Sequence, residues 1–116
     1  MTSANKRPEI FLGLTILAFI VAKIILLSLH HDIRWDESVY LNMAKSILGN
    51  GGFWEALRPP LWSVLLAGFM LLGNAVLLGE VFVAVISILA AIILYVTVRK
   101  HTGAWIAALT STLLLA

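Results

Sequence analysis

Cysteine is absent from this chain, and charge is scarce. Without a thiol there is no disulfide, no thiolate metal site and no cysteine nucleophile, and the redox compartment is left open. Only 12% of the 116 residues are charged, whereas 61% are hydrophobic. A soluble domain carries about 25% charged residues. With half that, the polar groups are too few to cover a folded surface, so apolar side chains must face lipid or protein. The eight basic residues are scattered singly or in pairs, and the net charge is +2. No basic stripe results, which argues against a nucleic-acid partner. Internal repeats and low-complexity tracts are also missing.

What the chain does contain is long apolar runs. After a polar head with Lys6, Arg7 and Pro8, residues 10–29 include sixteen apolar side chains in twenty. At about 1.5 Å per residue such a helix covers the roughly 30 Å hydrocarbon core of a bilayer. A secretory signal would have a shorter apolar region and a small-residue cleavage site, and the segment from Leu27 to His31 offers none. Lys23 lies near the far end, where its stem can snorkel to the headgroups. Residues 76–98 form a second run of spanning length, with Glu80 one turn inside its start and Arg99-Lys100-His101 at its end. Residues 104–116 begin a third. The chain stops inside that run without a flanking charge, and it reads as the N-terminal piece of a longer membrane protein.

Between the first two spans, residues 30–73 form a polar loop with short helices of its own. Tyr40, Met43, Ala44, Ile47 and Leu48 recur at three-and-four spacing, which predicts an amphipathic helix over residues 36–48. Asp36 suits its N-cap, Glu37 suits the positive end of its dipole, and Gly49-Asn50-Gly51-Gly52 ends it. At thirteen residues it is too short to cross, and it is expected to lie along the membrane surface. Pro59-Pro60 opens a second short helix over residues 61–72, read as interfacial or re-entrant. The fold class expected is therefore all-α, with polytopic transmembrane helices and juxtamembrane amphipathic helices in the first external loop. Lys6-Arg7 and Arg99-Lys100 flank the same side of spans one and two. The positive-inside rule assigns that side to the cytoplasm, with a cytoplasmic N-terminus and an extracytoplasmic loop.

Chemistry, if present, belongs to that loop. Asp36 stands beside a low-dielectric slab that favours its neutral form and strengthens its interactions, as a general base requires. The same residues also read as an ordinary helix cap and a dipole-matched glutamate. Tyr40, one turn on, sits on the same face as Asp36 and is positioned to orient it or stack on a ligand. Arg58 precedes the mouth of the next helix, where a guanidinium fork and free backbone N–H groups both suit phosphate. The plain alternative is an interfacial arginine on lipid headgroups. His30 and His31 are adjacent and do not easily reach one metal ion together. Trp35, Trp54 and Trp62 read as interface anchors rather than sugar-stacking platforms.

The order of these features is more specific than any one of them. The segments Asp36-Glu37-Ser38-Val39-Tyr40-Leu41-Asn42-Met43-Ala44-Lys45 and Arg58-Pro59-Pro60-Leu61-Trp62, set between two spans, resemble the N-terminal region of the GT-C membrane glycosyltransferases. The branch in question contains protein O-mannosyltransferases and the aminoarabinose transferases of lipid A. The resemblance covers the chain from Ile10 onward and about the first fifth of a family member. It implies an inverting sugar transfer from a polyprenyl-phosphate donor to a hydroxyl on a protein, lipid or glycan. Asp36 would be the base, Glu37 its support, and Arg58 the contact to the lipid phosphate. The rest of the enzyme, or a partner membrane subunit, would supply the other half of the site. Where some relatives carry a metal-binding glutamate just before the basic residue, this chain has Leu57, so no cofactor is implied and a divalent metal is disfavoured. The reading from another class is a small non-enzymatic membrane subunit or transporter fragment, in which Lys23 and Glu80 mark a helix contact or an ion path.

Overall fold

Proline and glycine set where the helices begin and end. The computed structural model describes residues 6–29 and 35–116, and the described residues form five helices and no strand. They are α1 (Arg7–Ser28), α2 (Trp35–Ile47), α3 (Pro60–Leu72), α4 (Ala75–His101) and α5 (Ala104–Leu115). Pro8 falls in the first turn of α1 and Pro60 in that of α3, where a missing N–H breaks no helical bond.

The end of α2 is a Schellman motif. Gly49, at φ 71°, donates its N–H to the Ser46 carbonyl, and Asn50 donates to the Lys45 carbonyl. The glycine-rich break expected after residue 48 thus acts through a left-handed glycine at one defined position. The start of α2 differs from the sequence reading. The helix already includes Trp35, so Asp36 lies inside the first turn, where its charge meets the helix dipole, rather than at the cap. Farther on, the Asn74 side chain accepts the Leu77 N–H at 3.1 Å and caps α4. At the other end of α4, Arg99, Lys100 and His101 complement its negative pole.

Two of the helices, α1 and α4, are long and apolar enough to cross a membrane. Only 6% and 11% of their most apolar stretches are buried, so the apolar surface is not spent on a protein core. That agrees with the compositional expectation of apolar surface in excess of what a core can absorb. α3 and α5 are apolar but shorter.

The chain divides into two compact units. The first comprises residues 1–29 and 83–116. In it α1 packs on α5, around a core of Leu12, Tyr95, Ala107 and Ala108. The alanines let the backbones approach closely, as small residues do between membrane helices. Thr112 also meets Thr15 across the α1–α5 contact at 3.3 Å.

The second unit comprises residues 30–82. Here α2 packs on α3, with Ala44, Leu66, Ala67 and Ala75 at the centre and Met43 fully buried. The stripe anticipated on α2 is seen, shifted slightly. Val39, Met43 and Ala44 are buried, Tyr40 and Leu48 are half-buried, and Ile47 is exposed. Its partner is α3, so the apolar face of α2 is used inside the protein.

Candidate functional site

The site lies in the second unit, where the first turn of α2 meets the turn leading into α3. Residues 53–59 run between the glycine break and α3, and the Arg58 N–H donates to the Glu55 carbonyl at 3.3 Å. That turn directs the Arg58 side chain back toward α2. Gly52 makes the approach possible: at φ 95° it occupies a conformation other residues rarely adopt, and a Cβ there would strike the Asn42 backbone carbonyl.

Arg58 is the hub. Its Nη1 pairs with Asp36 Oδ1 at 2.9 Å, and its Nε donates to Glu55 Oε2 at 3.1 Å. The guanidinium also stands over the Tyr40 ring, 5.4 Å from the centroid, a cation–π distance. The Arg58 side chain is 25% exposed, Glu55 38% and Asp36 71%. A mostly screened arginine therefore holds one strongly exposed carboxylate at the edge of the cluster. The pKa of Arg58 is raised above its ordinary value, chiefly by Asp36, then by Tyr40, with Glu55 adding and burial opposing. The cation is thus fixed at every physiological pH.

Three of the four anticipated site residues, Asp36, Tyr40 and Arg58, come together. Asp36 and Tyr40 share a helical face one turn apart, as their spacing requires, and Arg58 reaches both from the other side of the loop. Glu37 lies in the same first turn and is half-buried, and it makes neither of these two ion pairs. The residue that sequence reasoning passed over is Glu55. The Glu-x-x-Arg spacing was the available signal, since residues three apart in a turn can pair.

Asp36 and Glu55 both face the Arg58 guanidinium. Among the described residues no group of three His, Asp or Glu side chains is arranged to hold a metal. His30 and His31 lie outside the described residues, as do Asp32, Arg34 and the side chain of Trp35.

Chemically, the cluster offers a carboxylate open to solvent, a guanidinium with five N–H donors, and an aromatic face. Beside it is the positive end of α3. The surrounding surface is apolar: Phe53, Trp54, Leu57 and Leu61 are exposed, Leu57 at 94%. Trp62, by contrast, is half-buried against Phe82, with ring centroids 6.2 Å apart, so it serves the packing of this unit. No family model, no curated protein and no solved structure matches the chain.

Proposed function

We propose that the chain is the N-terminal part of a multi-pass membrane glycosyltransferase. It would transfer a sugar from a polyprenyl-phosphate donor to an acceptor hydroxyl on the extracytoplasmic face. The observation that carries the reading is the Asp36–Arg58 pair, 2.9 Å apart and set over Tyr40. It joins the two functions the reaction needs, a base and an anion partner, at one point.

In the proposed step the acceptor oxygen attacks the anomeric carbon from the face opposite the phosphate. The bond between that carbon and the phosphate oxygen breaks, and the polyprenyl phosphate departs with the bonding electrons. Asp36 takes the proton of the acceptor hydroxyl. Arg58 and the mouth of α3 stabilise the charge that develops on the leaving phosphate. Asp36 and the donor phosphate compete for the same guanidinium. Arrival of the donor therefore loosens Asp36 from Arg58 when a base is required. Exposed Phe53, Trp54, Leu57 and Leu61 support an active site at membrane level, where a lipid-borne donor must be met. The outward placement of this loop rests on the basic residues Lys6, Arg7, Arg99 and Lys100 of the sequence.

In the full-length enzyme, Asp36→Asn should lower transfer by a hundredfold or more, the scale of a lost general base, while membrane insertion is retained. Undiminished transfer in that variant would overturn the assignment. Arg58→Ala should raise the KM for the donor more than that for the acceptor, and equal effects on both would count against a phosphate contact.

A further inference from the structure

In the first unit, Arg99 near the end of α4 pairs with Glu9 in the first turn of α1. Arg99 also lies 5.7 Å from the centroid of the Tyr95 ring and 3.4 Å from its hydroxyl. This contact fixes the amino end of α1 and the carboxyl end of α4 at one level. Lys6, Arg7, Lys100 and His101, all exposed, are gathered at that end. Four of the chain's eight Lys and Arg residues are therefore concentrated there, against one of its six carboxylates.

The aromatic side chains give this end a depth. Trp105 opens α5 just past the basic cluster, is 51% exposed, and tilts against Phe11 of α1 with centroids 6.1 Å apart. Tyr95 sits one turn inside Arg99. Tryptophan and tyrosine favour the zone between hydrocarbon and headgroups. Cations directly beyond such a belt lie at headgroup level. The apolar stretches of α1 and α4 extend from there in the other direction.

We propose that this end of the first unit is a binding collar for anionic phospholipid headgroups, with Lys6, Arg7 and Lys100 as the groups that meet the lipid phosphates. Arg99 has a different task. Its charge is matched by Glu9, so it ties the two helices together, and the exposed cations around it supply the attraction. A collar of this kind enriches anionic lipid around the protein and resists passage of the end through the bilayer.

The test uses the full chain, purified into micelles holding equal amounts of phosphatidylglycerol and phosphatidylcholine, with bound lipid counted by mass spectrometry. The native chain should retain several times more phosphatidylglycerol than phosphatidylcholine. Each cation removed should lower that ratio about fivefold at most, the scale of one basic group at an anionic surface, so Lys6→Ala, Arg7→Ala and Lys100→Ala combined should bring it close to one. Lys45→Ala, in the other unit, should leave the ratio unchanged. An equal loss with Lys45→Ala, or a ratio untouched by the triple substitution, would overturn the proposal. If the triple variant does not fold, the native chain decides in salt. The ratio should collapse near 1 M, where the screening length is about 3 Å, and a ratio that persists there refutes the collar.

Discussion

Arg58 holds Asp36, Glu55 and Tyr40 at once, and these contacts differ in kind. Asp36 is the exposed partner and the one a substrate anion would displace. Glu55 is local, three residues back in the same turn, and fixes Nε. Glu55 should therefore act as a positioning residue for the guanidinium. Glu55→Gln retains the size and an acceptor oxygen but removes the charge. If the proposed transferase function holds, it should raise the donor KM severalfold while kcat stays near the native value; a fall in kcat with KM unchanged would argue against positioning. The pH behaviour has a fixed sign. Because the Arg58 pKa is raised, the arginine's contribution to the cluster is complete below its ordinary value and is lost only as pH rises through the still higher folded value. Asp36, Tyr40 and Arg58 were legible in the sequence because helical spacing and a proline pair locate them. Glu55 was legible only as a Glu-x-x-Arg spacing, because whether that pair forms depends on the direction taken by residues 53–59, which no periodicity encodes.

At the scale of elements, the boundaries follow from local chemistry, and two of them can be tested directly. Gly52 is the narrow point of the turn that brings Arg58 to α2. Gly52→Ala would combine a disfavoured φ of 95° with a collision against the Asn42 carbonyl. It should cost about 1–3 kcal/mol in detergent-solubilised unfolding, and it should also perturb the site. Asn74→Ala removes the cap of α4 and should cost about 1 kcal/mol, with the site unaffected because Asn74 makes none of the Arg58 contacts. Equal loss of site function in the two variants would mean that Gly52 acts through stability alone. The helices themselves were legible: α1, α3, α4 and α5 fall within a few residues of the apolar runs. What the runs did not encode was the partner of α2. Its amphipathic stripe suits a bilayer surface and another helix equally, and a hydrophobic pattern carries no label for what covers it. The match with α3 depends on small residues, Ala44 against Ala67, with Ala75 at the start of α4 in the same cluster.

At the scale of the molecule, α1 and α4 are long and apolar enough to cross a membrane and mostly exposed, and the proposed function requires a particular orientation within a bilayer. In the proposed orientation the positive-inside rule would put the end bearing Lys6, Arg7, Arg99 and Lys100 on the cytoplasmic side and the loop with Asp36 and Arg58 outside. The absence of cysteine makes this directly measurable, because a single introduced thiol has no native background. Asn50, in the exposed glycine turn after α2, and Thr102, exposed beyond the end of α4, are suitable positions. In intact cells, Asn50→Cys should react with a membrane-impermeant maleimide. Thr102→Cys should react only after the membrane is opened. The opposite pattern would put the candidate site on the cytoplasmic face, away from an extracytoplasmic acceptor, and would overturn the proposed function. Labelling of both positions from outside would mean that α4 does not cross, and the multi-pass reading would fall with it. The Asp36–Arg58 geometry would survive either result, because it depends only on the packing of α2, α3 and the turn between them.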